Sequence, residues 1–154
     1  MTTWLFTWNP AYYPWNDSLE SYKNVKAEID QIGFSFQRWT CGITKRIKLG
    51  DRIFLIRLGK DKAGIVASGT AASDVFAGPH WNPDLAKDGK TVNRVFVKFD
   101  HVIDPDIGPI LDREFLQKHF PTMCWSPQAS GISIPDHIAL QLETEWQRVT
   151  TTDR

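Results

Sequence analysis

Cysteine is scarce in this sequence, long apolar runs are missing and the charges cancel. Two cysteines among 154 residues, Cys41 and Cys124, allow one bridge at most, which excludes a scaffold built on disulfides. No segment approaches the roughly 18 consecutive apolar residues that a membrane span requires. The opening MTTWLFTWNP lacks the basic start and small-residue cleavage site of a signal peptide, so a cytoplasmic protein with two reduced thiols and no membrane partner is expected. Eighteen Lys+Arg stand against 18 Asp+Glu, so the chain is not coated in basic residues. With 42% apolar residues and 12% aromatics, disorder is excluded. A chain of this length buries roughly 68–70% of its unfolded surface and holds a core unaided. Repeats, low-complexity tracts and linkers are absent. Residues 1–150 therefore read as one domain, and 151–154 as a polar tail.

What is present begins with strand signals. Thr3 to Trp8 is rich in β-formers and stops at Asn9-Pro10. Asp17 and Glu20 have capping-box spacing, and Leu19, Tyr22, Val25, Ile29 and Ile32 follow at helical intervals up to Gly33. Arg52–Leu58 and Ile65–Ser73 read as a hairpin about the polar turn Gly59–Gly64. The stretch from Val75 to Asn93 reads as a long loop, Arg94–Phe99 as a strand and Asp112–His119 as a short helix. Gly131–Ile134 closes as a strand, and Ile138, Leu142 and Trp146 share one face of a last helix. The order lacks a regular βαβ rhythm. It predicts an α+β fold, a mixed and mostly antiparallel sheet curled into a small β-barrel with flanking helices.

Charge is unevenly placed. Between Gln37 and Lys62 eight cationic residues face only Asp51 and Asp61, which makes either a solvated face or a phosphate-binding one.

Catalytic signatures fail one by one. Gly59-Lys60-Asp61-Lys62-Ala63-Gly64 has no Ser/Thr and no following helix, so it is a turn and not a phosphate loop. His80, His101, His119 and His137 are widely spaced and lack ligand partners, so no metal site is read. Asp84, Asp88 and Lys90 sit together in a Gly/Pro-rich loop, a poor frame for two-metal chemistry. Cys41 and Ser68 have no base nearby in sequence. No catalytic residue and no cofactor are assigned.

Seven tryptophans remain. Trp4 and Trp146 fit a core stripe on a strand and on a helix. Trp8, Trp15, Trp39 and Trp81 each adjoin a polar, turn-like stretch, and loops present side chains to ligands. Indoles beside Lys and Arg suit a nucleobase and its phosphate, against the plainer account of a core with untidy loops.

The order of motifs resembles the EVE domain, a branch of the PUA-like superfamily that includes the YTH readers. The resemblance rests on Thr7-Trp8-Asn9-Pro10, Trp39 before Cys41-Gly42, Lys48-Leu49-Gly50-Asp51-Arg52-Ile53-Phe54-Leu55, Gly64 to Thr70 and Ser130-Gly131-Ile132-Ser133-Ile134. Its style is similar to modules fused ahead of HNH nucleases in modification-dependent (type IV) restriction enzymes. The resemblance implies a PUA-like barrel that receives a flipped base in an aromatic cage. Trp39 and Trp81 would be opposing walls, Trp8 and Asn9 would meet the base edge, Ser68 would border the pocket, and Trp15 is a further wall. Trp8-Asn9 stands where many EVE domains have Ser-Glu. Arg38, Lys45, Arg46, Arg57 and Lys60 would meet the nucleic-acid backbone. An open slot between the indoles, wide enough for one pyrimidine, is therefore expected.

The resulting expectation is a binding module and not an enzyme. It would hold 5-methylcytosine or 5-hydroxymethylcytosine of double-stranded DNA, for a restriction nuclease joined through a linker beginning at 151–154 or carried by another chain. Alternatives left open are a YTH-like reader of methylated RNA and an enzyme on nucleotides using Asp17, Asp74, Asp84 or His80. A homodimer also stays open.

Overall fold

The structure is a computed structural model that describes residues 1–11, 15, 21–80 and 82–152. In chain order its elements are β1 (Thr3–Trp8), α1 (Tyr22–Ile32), β2 (Ser35–Thr40), β3 (Arg52–Arg57), β4 (Gly64–Ala71) and β5 (Phe76–Pro79). They continue with α2 (Pro83–Lys87), β6 (Thr91–Val102), β7 (Leu111–Asp112), α3 (Arg113–His119), β8 (Ile132–Ile134) and α4 (Asp136–Thr152). The fold is α+β. Its sheet runs β2-β6-β4-β3-β1-β8, with β5 also on β6 and β7 on β4. Only β1 against β3 is parallel; the other described pairs are antiparallel.

Side-chain alternation divides the interior in two. Trp4, Phe6 and Trp8 of β1 and Ile53 and Leu55 of β3 enter one core, with Val95, Val97 and Phe99 of β6 and Val25 of α1. Leu5, Phe54 and Ile56 point the other way and meet Leu116 of α3 and Ile138, Leu142 and Trp146 of α4. Strands β1 and β3 are thus buried on both faces, which is why they read as near-continuous apolar runs.

Local signals explain the helices. Ser21 caps α1 by accepting from the Asn24 N–H, and Gly33 ends it at φ 92°. The expected capping pair Asp17 and Glu20, with Leu19, lies outside the described residues. Asp112 caps α3 through the Glu114 N–H. Helix α4 runs two residues into the expected tail, because the Thr151 and Thr152 hydroxyls bond the carbonyls of Gln147 and Arg148 one turn back.

Two expectations need correction. The expected loop from Val75 to Asn93 contains β5, α2 and the start of β6, and β2 was not foreseen at all. The sheet is also not a closed barrel: its path ends at β2 and β8, with no ladder between them among the described residues. Backbone contact between loops brings those ends together instead. A Cβ on Gly42, just after β2, would strike the Ser130 carbonyl, and one on Gly131, just before β8, would strike the Cys41 carbonyl. Both glycines have positive φ, 65° and 85°.

Asp51 fastens the start of β3. Its buried carboxylate accepts from the Trp4 indole at 2.9 Å, the Lys48 N–H at 3.0 Å and the Thr2 N–H at 3.2 Å. Burial opposes the charge, but these donors outweigh it and hold the carboxyl below its ordinary range. Such a group stabilises the fold above the unfolded carboxyl pKa of about 3.9 and ceases to do so as pH falls through its lower folded value. Asp51→Ala is expected to cost about 2 kcal/mol at neutral pH and to flatten the acid limb of stability against pH, as read by urea unfolding between pH 2 and 7. Trp146→Ala, which empties the second core, is expected to cost about 3–5 kcal/mol in the same measurement.

Candidate functional site

Three of the predicted indoles meet at one place. Trp8 ends β1, Trp39 points inward from β2, and Trp15 sits between them, with ring centroids 5.3 Å from Trp8 and 4.8 Å from Trp39. The contacts are edge-to-face, at 79° and 68°, an arrangement that matches ring edges to ring faces. Trp39 is fixed further by its indole N–H, which donates to the Thr7 carbonyl at 2.9 Å. Thr7 in turn donates its N–H to the Ser130 hydroxyl at 3.1 Å, so the Gly131 loop reaches the same spot.

The expected open slot is not found among the described residues. Trp8, Trp15 and Trp39 are 3%, 1% and 6% exposed, and the ring of Trp15 fills the space between the other two. That position is costly for Trp15 in two ways. Its φ is 47°, in the left-handed region that bulky residues avoid, and its buried Nε1 has no hydrogen-bond partner among the described residues. Arg57 shows the same deficit beside the same ring. Its guanidinium lies 5.4 Å over Trp8 and Nη1 donates to the Asp61 carbonyl at 2.6 Å, yet its buried Nε is unpartnered. Among the described residues, two buried donors beside Trp8 thus lack acceptors. Each such group costs about 1–3 kcal/mol.

Tyr22 completes the cluster, 5.7 Å from Trp8 and 6.2 Å from Trp15. Burial, then the charges of Asp104 and Asp106, hold its phenol above the ordinary range. Tyr22 was legible as part of the α1 stripe but not as a neighbour of these indoles. Thr7 and Ser130 gave no sequence signal beyond their places in the motifs.

The other predicted residues are dispersed. Trp81 lies outside the described residues. Asn9 adjoins Trp8, with its side-chain oxygen accepting from the Ala11 N–H at 3.0 Å. Ser68 is directed elsewhere: its hydroxyl donates to Asp100 at 2.5 Å, in a network in which Arg52 binds both Asp100 and Glu143 at 2.6 Å. Of the five predicted cations, Arg57 lies over the cluster. Lys60 is exposed in the β3–β4 turn, Arg46 stands 5.7 Å over Trp4, and Lys45 walls a separate depression of about 250 Å³ with Phe76 and Asn93. Arg38 neighbours Trp39 in sequence and so points to the opposite face of β2. No three metal-ligating side chains come together among the described residues. No helix among them is long and apolar enough to cross a membrane.

No family model and no curated protein matches the chain. Solved structures do. A hypothetical protein from Leishmania major aligns at TM-score 0.62 and 14% identity, over 96% of this chain and 98% of that one. A protein from Pseudomonas syringae aligns at 0.59 and 15%, over 93% and 98%. One from Pseudomonas putida aligns at 0.53 and 13%, over 92% and 97%. These likenesses show the fold. At such identities they assign no chemistry.

Cys41, two residues beyond Trp39, reports on how tightly this region is closed. It is fully buried, and burial pushes its thiol up to about 11, whereas Cys124 is exposed. Only Cys124 is expected to react with iodoacetamide at pH 8 in the folded protein, with the second thiol appearing in denaturant, as read by mass spectrometry.

Proposed function

We propose that the chain is a PUA-like module of the EVE type that binds one modified cytosine, extruded from double-stranded DNA, in place of the Trp15 ring. The observation that carries this reading is the Trp15 ring, held at φ 47° between Trp8 and Trp39 with no partner for its buried Nε1 among the described residues and therefore ready to yield, beside an Arg57 Nε that also lacks one. With that ring displaced, the place between Trp8 and Trp39 lacks a flat ring, and the Arg57 donor lacks an acceptor. A pyrimidine supplies both a flat ring and acceptors on its edge, and cytosine offers them at O2 and N3.

The energetics define what each part must do. Extruding a base costs a few kcal/mol, and stacking on an aromatic returns roughly 1–3 kcal/mol. Burying one methyl group adds only about 0.8 kcal/mol, so discrimination by the methyl alone is about fourfold. The larger share of selectivity for the base comes from pairing the buried Arg57 Nε, which has no acceptor among the described residues. Arg57 serves twice in this arrangement, as an edge donor and as a cation at the DNA backbone. Such a module supplies recognition to a nuclease of a modification-dependent restriction system, carried on another segment or chain.

Titration of tryptophan fluorescence with duplexes bearing 5-methylcytosine, 5-hydroxymethylcytosine or plain cytosine tests the reading. The modified duplexes are expected to bind at least about fourfold more tightly, and equal affinity for all three defeats the proposal. Trp39→Ala is expected to abolish the preference with the fold standing. Trp15→Ala is expected to lower stability by about 3 kcal/mol yet tighten binding of the methylated duplex, because no ring then has to yield.

A further inference from the structure

A second aromatic and cationic surface lies on the opposite face of the same strand. Along β2 the usual order is inverted: Ser35 is fully buried while Phe36 is 51% exposed. Across the ladder Phe36 is opposite Lys98, Arg38 opposite Phe96, and Thr40 opposite Arg94, so rings and cations alternate in a checkerboard. Phe96 is itself 41% exposed. Strand β5 extends the row, with Phe76 opposite Arg94 and its ring stacked on Phe96 at 5.2 Å and 30°. Phe34 leans on Phe36 at 5.3 Å and lies 4.7 Å under the Lys98 ammonium.

The cations of this face lack counter-charges. Arg38, Arg94 and Lys98 have no acidic partner among the described residues. Burial chiefly, and secondly the like charge of Arg38, push the Arg94 guanidinium below its ordinary range. Asp100, the acid next along β6, is engaged by Arg52 and Ser68. Helix α4 covers the sheet over β3 and stops short of this region, where the depression lined by Lys45 and Phe76 begins.

We propose that this outer face of β2, β6 and β5 is a stacking platform for single-stranded nucleic acid, distinct from the indole cluster. Its chemistry is that of the occupant: exposed flat rings for bases, with cations among them for phosphates, and the nearest acid of β6, Asp100, engaged by Arg52 and Ser68. A second copy of the chain fits poorly. A two-fold contact would set this cationic face against an identical cationic face.

Fluorescence anisotropy with labelled, unmodified ten-nucleotide oligo-dT and oligo-U tests the assignment on the full chain. Binding is expected, with log K falling against log salt at a slope near −2, about 0.7 for each of three neutralised phosphates. Phe36→Ala and Phe96→Ala are each expected to weaken it at least about fivefold. Arg38→Gln is expected to reduce the slope by about 0.7. Both rings are surface groups, and circular dichroism confirms that each variant is folded. The same variants are expected to keep any preference for modified duplexes, whereas Trp39→Ala is expected to leave oligo-dT binding unchanged. Loss of that preference in wild type alone overturns only the base-reading proposal. Absence of single-strand binding at 50 mM salt, binding untouched by both phenylalanine variants, or a dimer in sedimentation that Phe36→Ala dissociates overturns the platform.

Discussion

A single sheet with a hydrophobic core on each side must find cover for both faces, and four helices of modest length limit how far that cover reaches. Here α1 and the indole cluster close one face, while α3 and α4 close the other over β1 and β3. The limit falls at β2 and the first half of β6. Their inner side chains are sealed by the first core, but among the described residues no helix lies on their outer side. Apolar side chains left on such a surface must be tolerated in water or matched to a partner, and four phenylalanines interleaved with cations make the second account the stronger one.

The same shortage of cover explains how the sheet ends are joined. A barrel closes by pairing its first and last strands, which removes both edges. In this fold β8 has three residues and pairs only with β1 among the described strands, so it offers β2 no ladder. Closure passes instead through the loops at Cys41-Gly42 and Ser130-Gly131, whose backbones touch because neither glycine carries a Cβ. The Ser130 hydroxyl then reaches Thr7, whose carbonyl orients Trp39. The close approach of each glycine to the other loop's carbonyl is thus linked, through Ser130 and Thr7, to the indole of Trp39. The motifs Trp39 to Gly42 and Ser130 to Ile134, far apart in sequence, are two halves of that one joint.

Periodicity made the doubly buried and the helical elements legible. Strand β1 coincides with the expected Thr3–Trp8, the β3–β4 hairpin forms about the expected turn, and Gly33 ends α1 where the αL signal stands. What escaped has a common physical origin. Ser35-Phe36-Gln37-Arg38-Trp39-Thr40 places a phenylalanine outward and a serine inward, so the alternation that marks a half-buried strand is scrambled. Strand β5 ends in Gly78-Pro79, residues that punctuate loops in most contexts but are accepted here on a short strand at the sheet margin. At the site, the residue types were legible and their orientation was not. Trp8, Trp15 and Trp39 converge, but no local pattern indicates that Trp15 fills the gap itself, since its position depends on contacts across the sheet.

Strand β2 is where the two surfaces become one problem. Trp39 faces the inner cluster while Arg38 and Thr40, on either side of it, face outward, so a shift of β2 that moves the indole moves its neighbours as well. β2 is also a terminal strand, held by β6 on one side, and a terminal strand yields at lower cost than one paired on both sides. Any ligand that gains from the outer face and any that gains from the inner one must therefore act on the same ladder, Ser35 to Thr40 against Phe99 to Arg94. If the two binding events prefer the same placement of β2 they reinforce each other, and the coupling is equal in both directions by linkage. The inner cluster is tightly closed, so on the proposed reading it would pay to admit a ring. The outer face is already open, so of the two proposed surfaces it is the one that would engage first.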